Sequence, residues 1–238
     1  HNTMKTNCHI HCVFALLLAA QLSIAAEPLR LGEHGTQREL FIDDHLIASM
    51  TGGVKQHLNQ PVPREVVLTT DAPWEGNTSA YYTTFRDDDL FRMYSRASHW
   101  DAEAKKETHR EVTCYAESRD GIHWVKPKLG LFEFNGSKEN NIVIDGVGTH
   151  CFVAFKDGNP SSPPEARYKG IARGWPVGKK GLYIYESPDG IHWKLTRGEP
   201  VITEGAFDSQ NLAFWDAHTA QYREYPRPFG KRVRSLPL

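Results

Sequence analysis

The chain has 238 residues, 39% hydrophobic and 24% charged, and its 28 basic and 29 acidic side chains leave a net charge of −1. That length suits one domain or two small ones, and it is enough for a core without a disulfide framework. The near-neutral charge argues against a nucleic-acid partner, the apolar content argues against general disorder, and 6 Trp, 9 Tyr and 11 Phe with 19 Gly and 14 Pro lean toward strands and turns rather than a helical bundle.

Residues 4 to 26 place Lys5 ahead of the apolar stretch Val13–Ala20 and the small-x-small site Ser23-Ile24-Ala25. This is the pattern of a secretory signal peptide. The apolar run is shorter than the roughly 20 residues a membrane span needs. Residues 1–25 are therefore predicted to be a signal segment with upstream residues 1–3, and the protein is expected to be secreted or periplasmic with no membrane span. Of four cysteines, Cys8 and Cys12 fall in that segment and Cys114 and Cys151 remain. An oxidising compartment permits their pairing, and burial as small hydrophobes is an equal alternative. Asn77-Thr78-Ser79 and Asn135-Gly136-Ser137 fit the glycosylation pattern.

Residues 26–225 are predicted to form the body, and it repeats. Glu117-Ser118-Arg119-Asp120-Gly121-Ile122-His123-Trp124 matches Glu186-Ser187-Pro188-Asp189-Gly190-Ile191-His192-Trp193 at seven of eight positions, 69 residues apart. Asp-Gly favours a tight hairpin turn, because Gly accepts positive φ and Asp bonds its own backbone. A second pattern occurs three times. Phe85-Arg86-Asp87, Phe155-Lys156-Asp157 and Phe214-Trp215-Asp216 each end a strand-like run, followed by Phe91-Arg92, Tyr168-Lys169 and Tyr222-Arg223. Ten residues before each Phe stands an acid followed by Gly: Glu75-Gly76, Asp145-Gly146 and Glu204-Gly205.

Each unit reads as four short antiparallel strands. The first set falls near Ser79–Arg86, Phe91–Arg96, Glu111–Glu117 and Trp124–Leu131, with a charged, helix-compatible excursion at 101–111. The second falls near Cys151–Lys156, Tyr168–Arg173, Leu182–Glu186 and Trp193–Leu195, with a surface loop at 157–167. The expected fold class is all-β: a β-propeller of four-stranded antiparallel blades. After Tyr225 the tail 226–238 is basic, acid-free and without alternation, and prolines at 226 and 228 are hostile to a central strand. The third unit thus stops after about two strands, and a frameshift or premature stop is the favoured explanation.

The Ser-x-Asp-Gly-x-His-Trp turn, with Pro73-Trp74-Glu75 before the first strand, resembles the five-bladed propeller glycosidases of families 32 and 43. Leu40–Ile47 is similar to the start of exported bacterial proteins described as family 32-like at their N-terminus. The resemblance covers roughly residues 38–225. At ~65 residues per blade a five-bladed ring needs over 300, so it implies about two and a half blades in this chain. It also implies hydrolysis of O-glycosidic bonds of a poly- or oligosaccharide by paired carboxylates, without a cofactor. The family 32 triplets Asp-Pro-Asn, Arg-Asp-Pro and Glu-Cys are absent, so no family catalytic residue carries over. A non-catalytic carbohydrate-binding or scaffold propeller, or an inactive fragment, is the rival.

Glycoside hydrolysis needs one carboxylic acid on the leaving oxygen and one carboxylate as nucleophile or base. Acids repeated where successive inner strands begin would converge on one point, which nominates Glu75, Asp145 and either Glu204 or Asp208. Turn shaping before Gly is the plainer role for each. Asp43 and Asp44 are rivals, with a β-turn or the closing strand of the last blade as their plainer role. Trp74, His99, Trp100 and Trp175 are candidate sugar-stacking surfaces, against a default of core packing. The 12 His show no ligand spacing, and Asp87-Asp88-Asp89 lacks the alternation of a calcium loop, so no metal site is expected and a solvated turn is preferred there. His123 and His192 recur with the turn and are expected to serve it.

Overall fold

The structure, a computed structural model, describes residues 43–44, 47–225, 229–230 and 233–234. The predicted signal segment lies outside the described residues. The chain divides into two compact units, 1–62 and 63–238. In the first, the described residues carry no strand and are held by local turns such as Ile47 N–H to the Asp44 carbonyl at 3.0 Å. Asp43 and Asp44 are exposed in a bend there.

The second unit is all-β apart from a single 3₁₀ turn at Pro164–Ala166 among the described residues. Its first sheet contains β1 (Ala80–Asp87), β2 (Leu90–Ala97), β5 (Val112–Ser118), β6 (Trp124–Val125) and β7 (Ile142–Asp145). Between β2 and β5 lies a small hairpin, β3 (Trp100–Asp101) with β4 (Lys106–Glu107), where the sequence suggested a helix-compatible excursion. The second sheet contains β8 (Val153–Lys156), β9 (Tyr168–Arg173), β10 (Leu182–Ser187) and β11 (Lys194–Leu195), each pairing antiparallel with the next. A third hairpin joins β12 (Leu212–Asp216) to β13 (Gln221–Tyr225), and β14 (Phe229–Gly230) pairs with β15 (Val233–Arg234).

The fourth strand of the first sheet differs from the expected Trp124–Leu131. β6 pairs with the end of β5 for two residues and stops. β7 then pairs with the start of β5, Val112 opposite Asp145. Between them Asn141 acts as a substitute ladder: its carbonyl accepts from Tyr115 N–H at 2.9 Å and its side chain donates to the Tyr115 carbonyl at 2.6 Å. The second sheet repeats this device in brief. After β11, Ile202 bridges to Leu182.

Both Ser-x-Asp-Gly turns fold alike. Asp120 Oδ1 accepts from Ile122 N–H and His123 N–H at 2.8 Å each, while Oδ2 meets His123 Nδ1 at 2.6 Å. Asp189 does the same for Ile191, His192 and the His192 ring at 2.9, 2.8 and 2.7 Å. In each, the Trp indole donates to the Gly carbonyl at 3.1 Å. Gly121 and Gly190 sit at φ +77° and +76°, where a side chain would be strained. The His residues are therefore parts of the turn.

The sheets pack face to face over an aromatic core. Tyr94 and Tyr115 from the first sheet meet Phe152, Ala172 and Tyr185 of the second, with Trp193 against them. Phe152 packs edge-on to Trp193 at 4.9 Å between ring centroids. Gly170 makes room for it: a Cβ there would lie 2.3 Å from the Phe152 ring. Tyr94 is fully buried and donates to the Gly190 carbonyl at 2.6 Å. Cys114 and Cys151 are both buried and free.

A polar latch ties successive sheets together. Asp87, at the end of β1, accepts from Arg92 Nε and from the Tyr168 hydroxyl of the next sheet, both at 2.6 Å, and pairs with Lys156 at 2.7 Å. Asp157 repeats the scheme, with Lys169 at 3.0 Å and the Tyr222 hydroxyl at 2.7 Å. Burial works to raise the Asp87 pKa, but hydrogen bonds from Lys156, Tyr168 and Arg92 outweigh it and hold the carboxyl at about 2. Of the Asp87-Asp88-Asp89 triplet, only Asp88 and Asp89 are the expected solvated turn.

Removing one partner of such a buried pair leaves the others uncompensated, at a cost of about 3–5 kcal/mol. Asp87→Ala is expected to lower the melting temperature sharply, and Tyr168→Phe to cost only about 1 kcal/mol; equal, negligible losses in thermal melts would contradict the latch. Glu224 behaves oppositely. Its Oε1 is buried without a hydrogen bond, and burial pushes its pKa up to about 7. A raised acid favours the folded state while protonated, so its contribution is fully present below the unfolded pKa of 4.5 and is lost as pH rises through about 7. Glu224→Gln is expected to stabilise the protein at pH 8, on the order of 1 kcal/mol, and to change little at pH 4.5, in paired melts.

Candidate functional site

Antiparallel pairing brings the starts of β1, β5 and β8 to one end of the second unit, together with the ends of β2 and β9. A polar cluster forms there. Glu111 precedes β5, is buried, and holds His150 Nδ1 at 3.0 Å and Arg96 at 3.8 Å. The other imidazole nitrogen of His150 faces Asp208 Oδ1 at 3.5 Å. Asp208 also accepts from Arg173 at 2.9 Å. The result is an alternating line: Arg96, Glu111, His150, Asp208, Arg173. It draws on the first sheet, the second sheet and the segment entering the third hairpin.

Tyr81 stands over this line. Its ring lies 4.9 Å from the Arg96 guanidinium and 5.6 Å from the His150 ring. Burial raises its pKa, with the neighbouring Cys151 and Asp208 adding to the effect. Tyr81 takes φ +55° where the β1–β2 register slips between Ala80 and Thr83. A bulky residue in the left-handed region costs of order 1 kcal/mol or more, and such strain is concentrated at functional positions.

Beyond Arg173 the cluster opens to solvent. Arg173, Lys180, Gly205, Ala206 and Asp208 line an open pocket of about 550 Å³. Trp175 is 53% exposed, and the Arg173 guanidinium lies 5.4 Å from its ring centroid. The exposed aromatic face, the guanidinium and a half-exposed carboxylate are thus neighbours. A more enclosed cavity of about 290 Å³ lies between the second sheet and the third hairpin, but Ile171, Ile184, Val201 and Ile202 make it mostly apolar.

Of the acids nominated by repeat phase, Asp208 belongs to the cluster. Glu204 is exposed, next to the pocket-lining Gly205. Glu75 is buried, accepts from Ala72 N–H at 2.9 Å and meets Lys126 at 2.7 Å. Asp145 pairs with Arg110 at 2.8 Å. These two acids are thus held by different cations. Trp175 does not line the pocket itself but contacts Arg173, which does. Trp74 is half-buried, bonded to Asn141 at 2.6 Å and packed in the first sheet's second core. His99 is half-buried with its ring 6.2 Å from that of His109. Trp100 is exposed on the small hairpin. Among the described residues no group of three or more His, Cys, Asp or Glu has metal-holding geometry.

Tyr81, Arg96, Glu111, His150 and Arg173 escaped the sequence reading. Two of them carried a signal. Arg96 and Arg173 each lie four residues after the basic member of an aromatic-basic pair, Arg92 and Lys169, so they occupy one repeat phase. Glu111 and His150 have no counterpart in the neighbouring repeat.

No protein-family model matches the chain, and no curated protein matches it. Solved structures share partial likeness. An N-acetylgalactosamine deacetylase from F. plautii, in complex with blood group B trisaccharide, is 15% identical at TM-score 0.38, over 60% of this chain and 39% of that one. A glycosyl hydrolase from Bacteroides ovatus is 16% identical at TM-score 0.36, over 65% and 42%. A structure from the GH130 family of mannoside phosphorylases, which contains hydrolases targeting β-1,2 mannosidic linkages in Candida mannan, is 13% identical at TM-score 0.31, over 68% and 63%. The chain therefore spans less than two thirds of each of these chains. Likeness at this level assigns no activity.

Burial holds the Cys151 thiol up at about 12 and raises that of Cys114 as well. The thiolate is the reactive form. Both are expected to resist iodoacetamide at pH 7.5 in the folded protein and to react fully in denaturant without reductant, as read by mass spectrometry. Full alkylation of the native chain would place the thiols at the surface, and none in denaturant would mean a disulfide.

Proposed function

We propose that the protein is carbohydrate-active, and that a sugar docks in the open pocket with an apolar ring face on Trp175 and hydroxyls on Asp208, Arg173 and Lys180. The carrying observation is a guanidinium, Arg173, that lines the pocket with the half-exposed Asp208 and also contacts the exposed indole of Trp175 beside it. Apolar sugar faces pack on aromatic rings. Hydroxyls both donate and accept, so a paired acid and base suits them. Export along the secretory route, and a propeller related to families 32 and 43, complete this reading.

A hydrolytic role is the second reading, favoured by one observation. Asp208 and Glu111 are separated by a single imidazole, that of His150. Hydrolysis requires an acid and a base beside the scissile bond, and here those groups would be Asp208 and the His150 imidazole. In this arrangement Asp208 is the group that can touch substrate, because it is 53% exposed on its side chain against 3% for Glu111. Glu111 would then position His150 rather than act on sugar.

The test is tryptophan fluorescence and calorimetric titration with fructo-, arabino-, xylo- and manno-oligosaccharides, followed by product analysis. Trp175→Ala is expected to weaken binding at least tenfold and Asp208→Asn several-fold, with unchanged melting. Turnover lost in Asp208→Asn with retained binding would select the hydrolytic reading. Binding unaltered in both variants would refute the site.

A further inference from the structure

Among the described residues, six other than glycine take a positive φ. Asp88, Lys105, Asn135 and Ala220 do so in tight turns. Tyr81, at +55°, and Phe207, at +56°, do not: one lies within β1 and the other in the segment before β12. Both are aromatic, and for a bulky side chain this region is a genuine outlier. Backbone of that kind persists only where its surroundings over-determine it. Both also stand beside Asp208. Phe207 precedes it in sequence, and Tyr81 meets it through the His150 ring that each contacts.

Phe207 is held by the second sheet. It is fully buried against Val153, Ile171 and Leu182. Gly205 leaves room for its ring, since a Cβ there would lie 2.5 Å from it. The buried Asn211 amide donates to the Phe207 carbonyl at 3.2 Å and to the Ser209 carbonyl at 2.9 Å. The loop 205–211 therefore carries Asp208 from a fixed footing.

Tyr81 is held by the same loop. The register of β1 against β2 slips between Ala80 and Thr83, and there the half-buried Gln210 side chain reaches in. Its Nε2 donates to the Tyr82 carbonyl at 3.2 Å and to Thr83 Oγ1 at 3.1 Å. A carbonyl can only accept, so the amide nitrogen has to face it. A bulge re-aims a side chain, and this one aims the Tyr81 ring over Arg96 and His150. Gln210, two residues from Asp208, thus grips the backbone next to Tyr81.

We infer that Gln210 is the positioning residue of this site. It locks the loop that carries Asp208 to the bulge that carries Tyr81, so the carboxylate, the His150 ring and the Tyr81 ring keep one arrangement. Groups ordered in advance need not be ordered when a ligand binds, which raises affinity. This role rests on the reading that a sugar docks at Asp208. An apolar side chain at position 210 could not supply it. Neither could Glu, whose carboxylate would face the Tyr82 carbonyl without a donor.

The test uses Gln210→Met, which keeps the length and loses the donor, and Thr83→Val, which keeps the shape and loses one acceptor. In the free protein, hydrogen exchange read by mass spectrometry is expected to quicken in 80–83 and 205–211 together in Gln210→Met, with β9, β10 and the melting curve little changed. Affinity for the oligosaccharide that binds the wild type is expected to fall about fivefold, the worth of one ordinary hydrogen bond. Thr83→Val is expected to cost less. The double variant is expected to lose less than the two effects multiplied, because both act through one bridge. Multiplicative losses would make the two residues independent and overturn the bridge. So would exchange that quickens in only one of the two segments. Sugar bound as tightly by Gln210→Met as by the wild type overturns the positioning role and leaves the site standing. A wild type that binds no sugar overturns the site and this role with it.

Discussion

The structure depends on a buried carboxylate that no single sheet can satisfy. Asp87 ends its strand where the sheet face is covered by the next sheet, so its charge is removed from water. Arg92 on its own sheet meets one need, and Tyr168 and Lys156 on the next sheet meet the rest. Asp157 imposes the same demand on Tyr222. A burying face that brings its own charge partners is stable only with both sheets in place, and the partners fix their register. The apolar area between the sheets drives the contact, and the aspartate specifies its angle and phase.

This explains which parts of the fold were legible in the sequence. The Asp-Gly turns were readable because their bonds run within seven residues, from Asp120 to the amides of Ile122 and His123 and to the ring of His123. The triple Phe-x-Asp pattern was readable because the latch recurs. The broken fourth strand was not readable. Asn140 and Asn141 are fully buried polar residues that bond to backbone across the sheet, Asn140 to the Phe132 carbonyl and Asn141 to Tyr115. Alternation of apolar residues carries no trace of a side chain standing in for a ladder bond. Likewise the small hairpin at Trp100–Glu107 has only four paired residues, too few for any period.

The site was half legible for a related reason. Carboxylates in one repeat phase look equivalent along the chain, yet each is placed by its nearest cation. Lys126, just after β6, reaches Glu75 in the segment before β1. Arg110 claims Asp145 across β5 and β7. Those cations lie 51 and 35 residues away in sequence and share no spacing. Asp208 instead meets Arg173, which does keep the repeat phase with Arg96. The phase of the basic residues, which the sequence reading did not use, marks the cluster better than the phase of the acids.

The same pairing ranks the acids by what they could do to a ligand. Exchanging a cation for a sugar hydroxyl costs a charge its partner, and in a buried place that cost is several kcal/mol. Glu75, with 3% of its side chain exposed, stays bound to Lys126. In water the exchange is nearly free, because exposed ion pairs are worth only about 0–1 kcal/mol. Asp208 is on that side of the divide. Its own side chain is 53% exposed, while its partner Arg173 is 19% exposed, so the carboxylate rather than the guanidinium is the half of the pair that meets solvent. Exposure, rather than the presence of a carboxylate at the strand entrance, makes Asp208 the acid to which a ligand has access.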